Sequence, residues 1–159
     1  MAESISMDSV DLTILRVLQN DARTTNRDLA AAAGIAPSTC MDRVARLRAA
    51  GVIIGYTVRL DPARLGRGLQ AFLAVTLRPH RRPVVAGFVA AVRALPQVRA
   101  LYHVTGREDF LVHVAVTDVS DLQRVVLDEF TARTEVASVT TNLIYEEWPG
   151  PPLLPAESR

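Results

Sequence analysis

The chain has 159 residues, enough for one large domain or two small ones. Apolar residues make up 49% and charged residues 22%, a balance typical of a soluble globular protein. The formal charge of +1 excludes a protein that binds nucleic acid through its overall charge, so any DNA contact must come from a local basic surface. The single cysteine, Cys40, excludes an internal disulfide and a cysteine-rich zinc site. Because no apolar leader and no membrane-spanning run stand in the sequence, we expect a cytoplasmic protein.

Hydrophobic periodicity changes along the chain and predicts a two-domain organisation. Residues 1–60 are predicted to form a helical domain that ends in a β segment, and 61–68 a turn-rich linker. Residues 69–148 alternate strand and helix patterns and are predicted to form an α+β domain. Residues 149–159 begin with a proline-rich stretch, which predicts a loose tail.

Three helices are predicted in the first domain. Asp8 is a good N-cap for the first, and the capping pattern at 25–28 opens the second, which Gly34 ends. Pro37 stands where a first helical residue belongs, and the third helix runs from there to about Ala50. The short turn between the last two helices matches a helix-turn-helix, and a plain three-helix bundle is the alternative.

The composition of the third helix favours DNA binding. Cys40, Val44 and Leu47 fall at i, i+4 and i+7 and predict its buried stripe. Hydroxyls at a helix N-terminus and arginines further along suit phosphate and base-edge contacts, although a run of arginines is also common on a solvated face. The interpretation requires the arginine-bearing side to face outward. The predicted DNA-binding residues are Ser38, Thr39, Asp42, Arg43 and Arg46.

A β segment is predicted directly after Gly51, over Val52 to Val58. It is typical of the wing that accompanies some helix-turn-helix domains. It is also a place where two subunits can meet.

The second domain is predicted to have the order β-α-β-β-α-β, a ferredoxin-like arrangement. The four strands are predicted at 69–78, 98–104, 110–117 and 136–148, and the two helices begin near Pro83 and Ser120. Two helices cover one face of such a sheet. The open face is predicted to carry Phe72, Leu101, Leu111 and Ile144, which favours face-to-face dimerisation over scattered surface apolar residues.

The connection between the second and third strands, Thr105 to Asp109, is a candidate ligand site. Gly106 permits a positive φ, and backbone N–H groups beside such a glycine can bind a carboxylate. Asp109 can pair with an ammonium group, so one loop can hold both ends of an α-amino acid. An ordinary hairpin turn is the alternative.

In order and spacing, four stretches of the sequence resemble the Lrp/AsnC regulators, the leucine-responsive or feast/famine group. They are Met7–Leu15 with Gln19–Arg23, Gly34–Leu47 followed by Gly51–Ile53 and Gly55-Tyr56, Leu95–Val98, and Val104–Phe110.

The resemblance implies a winged helix-turn-helix joined to a ferredoxin-like sensor domain. It implies dimers through the sheets that assemble into octamers, and effector amino acids bound between dimers. The implied ligand-binding residues are Thr105, Gly106, Arg107 and Asp109, with Thr140, Thr141 and Asn142 on the last strand. Asp42, in place of a basic or neutral residue, and the charged pair Arg107-Glu108 beside the pocket depart from the family's pattern.

The sequence therefore predicts a DNA-binding transcriptional regulator that responds to a small effector and is not an enzyme. Its predicted partners are double-stranded DNA, an amino acid and further copies of the chain; no cofactor, metal or membrane is predicted. One alternative is an enzyme similar to tetrapyrrole decarboxylases, for which His80, His103 and His113 are the candidate residues. Another is a sensor that has lost DNA binding, which Asp42 alone supports.

Overall fold

The computed structural model describes residues 6–156, which divide into two compact units. The sheet unit is Leu60–Trp148. The N-terminal unit consists of residues 6–59 together with residues 149–156. No helix among the described residues is both long enough and apolar enough to cross a membrane.

The N-terminal unit contains α1 (Ser9–Asn20), α2 (Asn26–Ala33) and α3 (Pro37–Ala49). Each helix begins as the sequence predicts: Asp8 and Thr25 cap the first two, and Pro37 opens the third. Gly34 ends α2 with a φ of 66°, a left-handed conformation that favours glycine. The core that joins the three helices consists of Ile14, Leu15, Leu29, Ala30, Cys40 and Leu47.

The segment after α3 differs from its prediction. The expected β segment at 52–58 pairs with no strand among the described residues, although Ile54, Tyr56 and Val58 alternate along it and are exposed. A strand forms only where a neighbour can pair with its backbone N–H and C=O groups. This segment has no such neighbour within the described part of one chain.

Part of the proline-rich tail is anchored, in contrast to the loose tail that the sequence predicts. Leu154 packs against the core of the N-terminal unit. The side chain of Gln19 donates to the Leu153 carbonyl at 2.9 Å and accepts from the Leu153 N–H at 2.7 Å. A glutamine side-chain amide has both a donor and an acceptor, so it can form hydrogen bonds with the backbone C=O and N–H of one residue, as a neighbouring strand would.

The sheet unit begins with a 3-10 turn at Ala63–Leu65 and has the predicted element order. The strands are β1 (Leu69–Leu77), β2 (Val98–His103), β3 (Phe110–Val116) and β4 (Val136–Leu143), and the sheet order is β2-β3-β1-β4 with antiparallel neighbours. The helices are α4 (Arg82–Arg93) and α5 (Val119–Val125), which continues in π-helical form over Val126–Thr131.

One face of the sheet packs against α4 and α5. Phe88 lies at the centre of this core, with its ring centroid 5.0 Å from that of Phe110 and 6.3 Å from that of Phe130. All three side chains are fully buried. Burial of aromatic rings of this size is a large part of the free energy that holds helices on a sheet.

The open face carries Phe72, Leu111 and Ile144 as predicted, but the prediction for Leu101 is wrong. Leu101 pairs with the buried Val112 and packs against the core. Side chains of directly paired residues lie on the same face of a sheet. The pairing shifts by one residue between Val98 and Ala100, which reverses the alternation that the sequence suggests.

Replacing Gln19 with alanine removes both hydrogen bonds to Leu153 and should release the tail. We expect faster amide exchange at residues 149–156, with a loss of about 1 kcal/mol or less in the free energy of unfolding, because the bonds are exposed. Hydrogen exchange measured by mass spectrometry checks this. Gln123→Ala, at an exposed position of α5, is the control; equal tail exchange in both variants would contradict the anchoring role.

Candidate functional site

Helix α3 presents one buried and one open side. Cys40 and Leu47 are fully buried, and burial raises the pKa of the Cys40 thiol, so this cysteine acts as a packing residue. Ser38, Thr39 and Asp42 are all exposed, as predicted. The two hydroxyls stand in the first turn, where the positive end of the helix dipole favours anions.

The start of α3 is fixed to α2 by a contact that the sequence analysis missed. The side-chain amide of Asn26 donates to the Pro37 carbonyl at 2.8 Å. Asn26 is the first residue of α2 and Pro37 the first of α3, so this bond sets the positions of the two helix starts relative to each other. Nothing in the local sequence pattern identifies a bond between residues 11 positions apart.

Arg43 and Arg46 do not point directly outward; they form an ion-pair cluster with the start of α1. The Arg43 guanidinium lies 2.8 Å from both carboxylate oxygens of Asp8 and 3.0 Å from Oδ1 of Asp11. Arg46 lies 2.5 Å from Oδ2 of Asp11. The side chain of Asp11 is only 1% exposed, whereas those of Arg43 and Arg46 are 27% and 47% exposed. The arginine-bearing side of α3 therefore faces the start of α1.

The sequence offered a partial signal for this cluster. Asp8 and Asp11 form a capping box, in which each carboxylate accepts from the other residue's backbone N–H. The sequence indicates that Asp8 is a cap, whereas it indicates no role for Asp11. A carboxylate in the first turn of an amphipathic helix is ordinarily exposed, and only the packing of α3 shows that this one is covered.

The charges in the cluster stabilise one another. Burial by itself would raise the pKa of Asp11, but hydrogen bonds from Arg46, from the Asp8 N–H and from Arg43 outweigh it, and the pKa is lowered. The pKa of Asp8 is lowered by the Asp11 N–H and by Arg43. The same contacts raise the pKa of Arg43. The cluster is therefore fully ionised at neutral pH.

We expect the free energy of unfolding of the N-terminal unit to fall at acidic pH, because the folded pKa of Asp11 lies below its ordinary value of 3.8. The stabilisation is complete above that value and disappears as the pH falls through the lower folded pKa. Asp11→Asn should cost about 2 kcal/mol at pH 7 and flatten the pH dependence below about pH 4. Denaturant unfolding from pH 2 to 7 measures both effects, with the exposed Asp28→Asn as control. An unchanged acid slope would show that the cluster is not stabilising.

The predicted effector loop has the conformation that its glycine permits. Gly106 has a φ of 135°, and Thr105 and Arg107 on either side of it are exposed. The Val104 N–H donates to the Asp109 carbonyl at 2.9 Å and closes the loop. Exposed backbone N–H groups around a glycine of this kind can bind a carboxylate.

Asp109 is held by the sheet unit itself. One carboxylate oxygen accepts the Leu77 N–H at 2.7 Å, and the other lies 2.8 Å from Nδ1 of His80. Its side chain is mostly covered. Each oxygen retains a second lone pair, so the carboxylate can still accept a ligand ammonium group.

The three β4 residues of the predicted site are not gathered around this loop in one chain. Strands β3 and β1 lie between β2 and β4, and the loop joins β2 to β3. Thr140 and Asn142 pair with Ala74 and Phe72 and share the open face, whereas Thr141 pairs with Leu73 on the helix-covered face. The structure therefore groups Thr105 to Asp109 and leaves Thr140, Thr141 and Asn142 on the far edge of the sheet.

The three histidines are not part of a three-ligand metal cluster in the described residues. No group of three potential ligands with suitable geometry occurs within residues 6–156. His113 lies 2.9 Å from the Gln70 side chain, and burial lowers its pKa, with a smaller effect from Arg99 and an opposing one from Glu147. His103 stacks on Phe110. These contacts give each histidine a structural partner and do not favour the tetrapyrrole alternative.

The N-terminal unit also has a groove of about 820 Å³ between the end of α1, residues 52–59 and the tail at 153–155. None of the predicted DNA-binding or ligand-binding residues lines it.

The helix-turn-helix and the four-stranded sheet with two helices define a one-component regulator, which combines a DNA-binding unit and a sensor unit in one chain. Comparison with known families agrees: residues 7–54 match a winged helix-turn-helix DNA-binding family, and residues 70–151 match the Lrp/AsnC ligand-binding domain. The chain belongs to the Lrp/AsnC family of DNA-binding transcriptional regulators.

Relatives are similar over nearly the whole chain. The HTH-type transcriptional regulator AldR of Mycolicibacterium smegmatis is 43% identical over 91% of this chain and 84% of its own. The leucine-responsive regulatory protein of Rhizobium meliloti is 37% identical over 90% of this chain and 92% of its own.

Solved structures show the same fold. A transcriptional regulator from Neisseria meningitidis in complex with L-methionine has a TM-score of 0.87 and 31% identity, and covers 94% of this chain and 97% of its own. AsnC of E. coli has a TM-score of 0.80 and 25% identity, and covers 96% of this chain and 98% of its own.

Proposed function

We propose that this regulator reads duplex DNA with α3 and responds to an amino acid bound at the loop from Thr105 to Asp109. The observation that carries the proposal is that one chain has both an exposed α3 N-terminus and a sensor loop with N–H groups and a carboxylate. The L-methionine complex of the similar Neisseria meningitidis regulator supports an amino acid as the effector class. We expect this regulator to be in the cytoplasm, where the DNA that it binds is located.

Two kinds of residue contribute to DNA binding in this proposal. Ser38 and Thr39 contact phosphates through their hydroxyls, and the exposed Asp42 contacts a base edge by accepting from a cytosine amine. Arg46 is half-exposed and reaches a phosphate while it stays paired with Asp11. Arg43 is more covered and acts mainly by fixing α3 against α1, with its remaining exposed N–H groups available to the DNA.

Arg46→Ala should weaken binding to the DNA upstream of the protein's own coding sequence. The slope of log K against log salt should become less steep by about 0.9 for each phosphate contact removed. Fluorescence anisotropy at several salt concentrations measures this, and circular dichroism verifies that the variant is folded. Arg93→Ala, at an exposed site of α4, is the control for removal of one positive charge. If Arg46→Ala and Arg93→Ala have the same slope, Arg46 does not contact phosphate.

The effector site is proposed to be completed by a second copy of the chain. Thr105, Gly106, Arg107 and Asp109 form one part, and Thr140, Thr141 and Asn142 are on the opposite edge of the sheet in the same chain. A site made from both sets therefore requires two chains. Effector binding at such a site changes the equilibrium between assembly states and with it the spacing of the α3 helices.

The open sheet face supports assembly. Phe72, Leu111 and Ile144 lie on it, and an apolar sheet face of this kind is stabilised by packing on a second copy. Four such dimers would form the octamer that the resemblance to the Lrp/AsnC regulators implies. We propose no catalytic activity, because the family's members are regulators and the histidines have structural partners.

Asp109→Ala should remove effector binding, because the loop loses the carboxylate that pairs with the ammonium group and its anchor on Leu77. A thermal-shift screen of the amino acids on the wild-type protein identifies a ligand, and calorimetry compares the variants. We expect at least a tenfold loss of affinity, equivalent to about 1.4 kcal/mol. Glu108→Gln, which removes the neighbouring charge, is the control. Undiminished binding by Asp109→Ala would exclude this loop as the site.

A further inference from the structure

The segment between β1 and α4 contacts the effector loop through the side chain of His80. Nδ1 of His80 is 2.8 Å from Oδ1 of Asp109, and the His80 side chain is 45% exposed. The ring of His80 also stacks on that of His103, with a centroid distance of 5.7 Å and an interplanar angle of 26°. His103 in turn stacks on the buried Phe110 at 4.6 Å. This stack connects the exposed imidazole of His80 to the core of the sheet unit.

Asp109 is otherwise held by backbone groups. Its N–H donates to the Val75 carbonyl at 2.9 Å, its carbonyl accepts from Val104, and its second carboxylate oxygen accepts the Leu77 N–H at 2.7 Å. None of these backbone groups changes charge with pH. His80 is thus the titratable partner of Asp109 in the described contacts.

We propose that His80 is a positioning residue of the effector loop, and that its protonation sets the net charge that Asp109 presents to a ligand ammonium group. The proposal rests on the function proposed above. A neutral imidazole donates its Nδ1–H and leaves the carboxylate charge available. An imidazolium forms an ion pair that cancels this charge and repels the ammonium group. Affinity for an α-amino acid therefore falls as the pH falls from 8 to 6.

The other charged groups around His80 do not account for such a change. Arg78, Arg81 and Arg82 flank it on its own segment, and arginine stays protonated at these pH values. Arg107 and Glu108 lie on the effector loop, and the ring of His103 on β2 stacks on that of His80. Glu135, immediately before β4, accepts the Arg78 N–H through its backbone carbonyl. Histidine is the side chain that ordinarily changes charge between about pH 5 and 8. The chain has three: His80, His103 and His113.

The first experiment uses the full chain without ligand and does not depend on the effector. We measure the amide resonances of Leu77 and Gly106 by NMR between pH 5.5 and 8. Both should shift with pH in the wild-type protein, in His113→Asn and in His103→Asn, which removes the neighbouring ring. In the His103→Asn background they should become constant when His80→Asn is added. Asparagine places an N–H donor near the position of Nδ1 but does not titrate. His80→Gln, which is also neutral, is the second variant if His80→Asn does not fold.

The second experiment measures the affinity for L-methionine by calorimetry at pH 6 and pH 8. In the wild-type protein we expect a loss of about fivefold at pH 6, and in His80→Asn a change below about twofold. An amide titration that is unchanged when His80→Asn is added to His103→Asn, or that is absent from the wild-type protein, overturns the proposal. An equal loss of affinity in both proteins also overturns it. If L-methionine binds neither protein, L-methionine as the effector proposed above is contradicted, whereas an amide titration that behaves as expected still supports the contact between His80 and Asp109.

Discussion

The buried carboxylate of Asp11 holds the DNA-binding unit in its working geometry. It lies between α1 and α3 and accepts from both Arg43 and Arg46, while its partner in the capping box, Asp8, accepts from the same nitrogen of Arg43. A covered carboxylate without such partners would be strongly destabilising, so the two arginines stabilise the packing of α3 on α1. The sequence of α3 suits DNA binding because of these arginines, but both of them also neutralise Asp11 within the protein. The exposed fractions of the Arg43 and Arg46 side chains determine how much of each guanidinium is available to contact DNA.

The same principle applies in the sheet unit, where a carboxylate fixes a loop. Asp109 connects the tip of the β2–β3 hairpin to the end of β1 and to His80. A loop built around Gly106 would otherwise have many accessible conformations, because glycine is restricted least. The bonds to Asp109 reduce that freedom before any ligand arrives, which lowers the entropic cost of binding.

Several surfaces of the single chain are incomplete by themselves. Ile54, Tyr56 and Val58 alternate along an extended segment without a partner strand in the described residues, and Phe72 and Leu111 lie on an open sheet face. The residues expected to line the effector site occupy the loop and the opposite edge of the sheet. Each of these features is consistent with a protein whose functional unit contains more than one chain.

The sequence by itself determined the helices, their caps, the β-α-β-β-α-β order and the location of the glycine loop. These features depend on local chemistry: Asp8, Thr25, Gly34 and Pro37 act within one turn of their own position. Only the tertiary structure decided that Arg43 and Arg46 face α1, that Leu101 faces the core, that Leu154 is anchored and that His80 meets Asp109. Side chains at these sites are oriented by residues about 30 to 130 positions away or, for Leu101, by a shift in strand pairing. Periodicity within a short window carries no information about either.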